Sequence, residues 1–233
     1  MKNVIKLITI TAIVAIIGFA LVGCGNPSGG GGGSIGDTII LQNKNVTYHS
    51  SIPDGDLAAA KAKEDFDYIC IDYDNDTFVE LSGYIPGATV KIIDSKLSLE
   101  LGVPKGEVLE SPEVALSWFF DSSVTVSDPS AKVAYIPNGE FYTADNAFHL
   151  SLIKTDSNTL LEGAMLMYAT TNVNISGTVT LNDGWKIVWN ASLKSGWNYV
   201  LMSDNDITEK TTITATTKLP SSYKWTVYKW WDD

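Results

Sequence analysis

The residues best suited to chemistry in this chain are carboxylates. Asp72-Tyr73-Asp74-Asn75-Asp76 is followed by Glu80, so acids fall at alternate positions and then once more. Calcium is a hard cation that takes six to eight oxygens, and such a run can supply them. Asp72, Asp74, Asp76 and Glu80 are therefore candidate calcium ligands. The EF-hand pattern is not met, because Thr77 stands where Gly is required and Gly83 where the closing Glu belongs. The competing reading is a solvated hairpin turn, with Asp and Asn chosen for their local backbone hydrogen bonds. Asp204-Asn205-Asp206 is a similar, weaker acidic turn.

Histidine occurs twice, as His49 and His149. His149 alternates with Phe148, Leu150 and Leu152 and is expected on the opposite, wet face of a strand. No HExxH, CxxC, GxSxG or glycine-rich phosphate loop is present. A Ser-His-Asp set is assembled from distant residues, so the sequence neither excludes nor recommends one. No catalytic residue is assigned.

Seven tryptophans raise the question of sugar binding, since flat aromatic faces stack on sugar rings. Alternation assigns most of them to the interior. Trp185, Ile187 and Trp189 share one face, as do Tyr223, Trp225 and Val227, and Trp197 falls with Tyr199 and Leu201. Trp230 and Trp231 are adjacent, so strand geometry turns them to opposite sides and exposes at least one. These two are the candidate ligand-binding aromatics.

All 16 basic residues are lysine, against 27 acids, for a formal net charge of −11. Phosphate backbones are bound by neutralising them with Lys and Arg, so nucleic acid is not expected as a partner. Calcium, cationic ligands and neutral glycans fit such a surface better.

The elements that would position these groups begin after an export segment. Lys2 and Lys6 precede 17 uncharged residues, Leu7 to Gly23, which end in Leu21-Val22-Gly23-Cys24. A basic start and an apolar core are the secretory pattern. The closing tetrapeptide resembles the lipobox of bacterial lipoproteins. That resemblance implies a thioether-linked lipid on Cys24, cleavage after Gly23 and acylation of the new amino terminus. Several acyl chains anchor a protein stably where one does not. The expected location is extracytoplasmic and membrane-anchored; Gly25 in place of an Asp favours the outer membrane where two membranes exist. Loss of Lys2 and Lys6 would take the charge from −11 by two further units to −13. Gly29 to Gly33 form an unbroken glycine run, so residues 24–36 read as the lipidated Cys and a flexible tether with a mean reach of about 20 Å.

From residue 37 to 233, period-two alternation dominates. Val173-Asn174-Ile175-Ser176-Gly177-Thr178-Val179-Thr180-Leu181 puts apolar residues or Gly at odd positions and polar residues at even ones. Asn182-Asp183-Gly184 then turns the chain into Trp185-Lys186-Ile187-Val188-Trp189, a hairpin signature. Further strands are predicted at 38–41, 45–49, 66–73, 77–85, 88–93, 97–101, 115–120, 124–127, 131–136, 147–153, 162–169, 197–202, 211–217 and 223–230. One Ala-rich segment, residues 56–64, predicts a short helix. The expected fold is all-β, an antiparallel β-sandwich of Ig-like or jelly-roll-like type. Tyr84-Ile85-Pro86-Gly87 and Leu97-Ser98-Leu99 return as Tyr135-Ile136-Pro137-Asn138 and Leu150-Ser151-Leu152. This leaves open a duplicated β-unit with lobes at 37–127 and 128–233. Cys70, in Tyr68-Ile69-Cys70-Ile71, is expected to be buried as a small hydrophobe.

Met167-Tyr168-Ala169, Val173 to Thr178 and Leu193-Lys194-Ser195-Gly196-Trp197-Asn198-Tyr199-Val200 together resemble uncharacterised β-rich lipoproteins of bacteria with outer membranes. The resemblance covers residues 162–202. It implies a hairpin followed by a Gly-Trp-Asn turn into the next strand, and brings no catalytic residues. The function expected is a non-enzymatic binding or structural role for a tethered protein, with a protein or glycan ligand. A glycan-binding module and an extracytoplasmic hydrolase are the alternatives.

Overall fold

The computed structural model describes residues 36–62, 69–72, 77–80, 85–136, 139–142, 147–154 and 162–229. Along the chain run β1 (Ile39–Tyr48), α1 (Asp54–Ala62), β2 (Ile69–Asp72), β3 (Thr77–Glu80), β4 (Thr89–Ile93) and β5 (Lys96–Leu101). A helical turn, α2 (Pro112–Ala115), precedes β6 (Thr125–Val126), β7 (Val133–Ile136), β8 (Gly139–Tyr142) and β9 (Ala147–Lys154). The remainder holds β10 (Gly163–Ala169), β11 (Val173–Thr180), β12 (Lys186–Leu193), β13 (Gly196–Asn205), β14 (Lys210–Thr216) and β15 (Tyr223–Tyr228). The fold is all-β, as alternation predicts. The described residues form one compact unit.

The main path of paired strands is β4-β5-β1-β15-β9-β10-β13-β14-β12-β11-β6 and does not close. Among the described residues pairing is antiparallel except at β1–β15 and β12–β14, where alternation alone predicts antiparallel neighbours throughout. The second exception has a simple cause. The short turn after β12 sends β13 back antiparallel but one strand-width away, and β14 fills the slot between them. Pairing antiparallel to β13, β14 is forced parallel to β12.

The sheet divides at β9 and β10. These strands pair only through Gly163–Ile153 and Ala164–Leu152; beyond that, β7 takes the edge of β10 and β8 the edge of β9. One core lies between the resulting layers. Leu97, Leu99, Leu101, Leu150, Leu152, Trp225 and Val227 meet Leu166, Tyr168, Trp197 and Tyr199 there. A second core uses the opposite face of the same central strands: Met167, Ala169 and Val200 pack with Ile175, Ile187, Trp189 and Leu193. Strand β10 and the first half of β13 are therefore buried on both sides. That explains the unbroken apolar run Gly163 to Ala169, which a one-sided strand would not carry.

Local departures have local causes. The segments predicted as 38–41 and 45–49 are one strand, bulged where the pairing with β5 slips between Leu41 and Lys44 and Asn43 takes a φ of 54°. Helix α1 starts at Asp54, two residues before its predicted start, with Asp54 and Asp56 in its first turn, where acids suit the helix dipole. Lys229 Nζ holds Asp56 Oδ2 at 2.9 Å. The expected strand at 115–120 is overturned. Pro112 opens a helical turn, Ser117–Phe119 continue as a 3-10 turn, and the Phe119 carbonyl accepts the Trp189 Nε1–H at 2.8 Å. This segment roofs the second core rather than joining the sheet, with Leu116 buried and the Phe120 ring tilted against Trp189, ring centres 5.4 Å apart.

Candidate functional site

Two features unite residue types that could serve function. The first is a polar row across β1, β15, β9 and β8. Cross-strand partners share a face, and the pairings run Thr47–Thr226, Thr226–Ser151, Tyr228–His149 and His149–Glu140. This face is the reverse of the one that sends Trp225, Val227, Leu150 and Leu152 into the first core. Three of its residues, Thr226, Ser151 and Tyr228, are buried, Tyr228 to 2% exposure. Their hydroxyls are satisfied locally. Thr47 Oγ1 and Thr226 Oγ1 lie 2.9 Å apart, and Ser151 Oγ and the Tyr228 hydroxyl 3.4 Å apart.

Both histidines belong to this region. The His49 N–H donates to the Val227 carbonyl at 2.8 Å, which sets His49 just beyond β1 beside the end of β15. Its Nδ1 accepts the Ser51 N–H at 3.1 Å. A neutral imidazole accepting at Nδ1 carries its proton on Nε2, whereas a metal-ligating histidine donates from its second nitrogen. His49 is thus built as a turn cap and a donor. His149 and Glu140 are backbone partners across β9 and β8. The sequence missed Glu140 because β8 lacks a strong alternating run. It assigned Tyr228 to a strand, residues 223–230, and placed only Tyr223, Trp225 and Val227 in the core.

The calcium candidates are only partly within the described residues. Asp72 pairs with Thr77, and Glu80 pairs with Ile69. Three residues of strand, about 10 Å, therefore separate the Asp72 and Glu80 positions along the hairpin. Asp74, Asp76, Trp230, Trp231 and Cys24 lie outside the described residues. Among the described side chains no three His, Cys, Asp or Glu converge as metal ligands. Trp189, Trp197 and Trp225 are core residues, and Trp185 is half-buried with its Nε1–H on Thr211 Oγ1.

The second feature is the contact between Gly36, the first described residue, and the turn into β13. Trp197 donates its backbone N–H to the Gly36 carbonyl at 2.9 Å and its indole Nε1–H to the Gly102 carbonyl at 3.0 Å. Gly196 has a φ of +92°, and a Cβ there would lie 2.5 Å from the Gly36 oxygen, so only glycine fits. The Tyr168 hydroxyl donates to Asp37 Oδ1 at 3.3 Å. Burial first, and the Asp37 charge second, push the Tyr168 hydroxyl above the ordinary tyrosine pKa.

Asn198, fully buried, ties this turn together. Its Nδ2 donates to the Lys194 and Gly196 carbonyls at 2.8 and 2.9 Å, and its Oδ1 accepts the Lys194 N–H at 2.9 Å. Hydrogen bonds continue around the rim. Ser195 Oγ donates to the Thr170 carbonyl and Thr170 N–H to the Lys132 carbonyl, while Thr171 Oγ1 donates to Asp128 Oδ2. The Ser130 hydroxyl, the Ser130 N–H and Thr171 hold the Asp128 carboxyl below the usual carboxylate range. No protein-family model matches this chain, and no curated protein or solved structure matches it.

Proposed function

We propose that this chain is a lipid-anchored, extracytoplasmic protein whose β domain has a non-enzymatic binding or structural role at the membrane surface. The observation that carries the reading is the junction at Gly36. The glycine-rich run that follows Cys24 ends where Trp197, Gly196 and Tyr168 take hold of the chain. A tether needs such a fixed attachment point at its end. The lipobox-like Leu21-Val22-Gly23-Cys24 supplies the other end. The test is Cys24→Ser with labelled palmitate in the native host. The wild type should incorporate label and lose residues 1–23, and the variant should do neither. Label on the variant overturns the reading.

A further inference from the structure

We propose that the end of the domain bearing Gly36 is the face held against the phospholipid headgroup layer, with the 206–209 turn directed away from it. The inference rests on the lipid-anchor reading and deepens it by naming the surface and its partner.

The argument is geometric. Gly36 is fixed to the first residues of β13, and Gly102 to the Trp197 indole, so the 102–105 loop, the 194–197 turn and Lys132 belong to one end. Strand β13 leaves that end at Gly196 and finishes at Asn205, where Lys210 is its partner and Lys186 is in turn the partner of Lys210. Nine residues of strand carry Lys186 and Lys210 about 30 Å from Gly196. About twelve residues separate Cys24 from Gly36, a glycine-rich length with a mean span of about 20 Å. Fully drawn out it reaches about 40 Å, and a globule of this size is itself about 40 Å across. The Lys186–Lys210 end could therefore meet the bilayer only with the tether stretched to about 30 Å, well beyond its mean span, a state with fewer conformations.

The surface at this end suits a headgroup layer. Exposed Lys105 and Lys132 and half-exposed Lys194 offset three of the four acids Asp37, Glu107, Glu110 and Asp128, in a chain whose formal charge is strongly negative. Val103 stands 48% exposed beside Gly102. A face so close to neutral gains little from anionic lipid, so contact should not depend on it.

Wild-type lipidated protein, reconstituted into phosphatidylcholine vesicles, tests this without mutation. A phospholipid bearing an amine-reactive ester on its headgroup is included, and modified lysines are identified by peptide mass spectrometry. Reactivity is normalised to a soluble ester of the same chemistry. Lys105, Lys132 and Lys194 should be modified at least about threefold more than Lys186 and Lys210, because effective concentration falls steeply with distance from the lipid surface. The ratio should hold when a third of the lipid is made anionic. Inserting a further two dozen Gly and Ser residues after Gly33 should erase the contrast. Equal or reversed modification overturns the orientation. Vesicle flotation separates the two claims: protein that floats but shows no contrast defeats the orientation alone, and protein that does not float defeats the anchor and the orientation with it.

Discussion

The Trp197 backbone N–H and the Gly36 carbonyl meet at 2.9 Å, and Gly196 lies so close that a single added methyl group would fall 2.5 Å from that carbonyl oxygen. The first described residue is therefore seated on a turn more than 150 residues further along the sequence.

Gly196→Ala should cost about 2 kcal/mol or more, from left-handed backbone strain together with displacement of Gly36. Urea unfolding measures the loss. Hydrogen exchange at the Trp197 amide should accelerate by more than global destabilisation explains, since its acceptor is what moves. An unchanged midpoint would show that Gly36 is free to shift.

Asn198→Ala removes three short hydrogen bonds inside the Lys194–Gly196 turn and leaves the Lys194 N–H without its acceptor. Unpaired buried groups cost about 1–3 kcal/mol each, so a loss of roughly 3 kcal/mol is expected. Asn198→Asp should not rescue it, because a carboxylate cannot donate to the two carbonyls. Thermal unfolding of both variants checks the claim.

Gly177 interrupts the alternation of β11 for a steric reason. Its φ is +149°, and a Cβ would lie 2.4 Å from the Ser123 carbonyl oxygen. Gly177→Ala should detach the Ser123–Val126 edge, which is held by the Ser123 Oγ bond to the Thr178 carbonyl and the Thr125 Oγ1 bond to the Ser176 carbonyl. A stability loss of about 1–3 kcal/mol is expected. Faster proteolysis near Ser122–Ser123 is the specific signature, and protection equal to wild type would count against it.

The alkaline limb of stability should depend on Tyr168. Burial and Asp37 raise its folded pKa, and burial raises that of Tyr199. A raised folded value means that the stabilising contribution is complete below the unfolded pKa, near 10, and is lost as pH climbs from there through the folded value. Tyr168→Phe should flatten this decline above about pH 10 while removing its bond to Asp37 at neutral pH. Absorbance titration at the phenolate band, paired with unfolding midpoints, reads both effects. An identical alkaline slope in the variant would refute the assignment.

Alternation in the sequence was enough to predict the β class, the hairpin at Asn182-Asp183-Gly184 and the inward faces of Ile187 and Trp189, Trp197 and Tyr199, and Trp225 and Val227. Those features follow from a two-residue period and local turn chemistry, both of which are properties of neighbouring residues. The LKSGWN stretch was visible as a motif, but its purpose was not, because Gly36 and Gly102 are far away in the chain. The same limit hid the His149–Glu140 pairing and the burial of Thr226 and Tyr228.

Tertiary structure decided the rest. Trp118-Phe119-Phe120 reads as strand from its aromatics, yet Pro112 starts a helical turn upstream and the second core gains a roof from Leu116, Phe119 and Phe120. Whether β10 and β13 bury one face or two depends on which layers pack against them. That β14 runs parallel to β12 depends on a slot left by the turn into β13. Period two tells a strand which residues share a side; only the partners brought to that side, from anywhere in the chain, determine whether it is wet or dry.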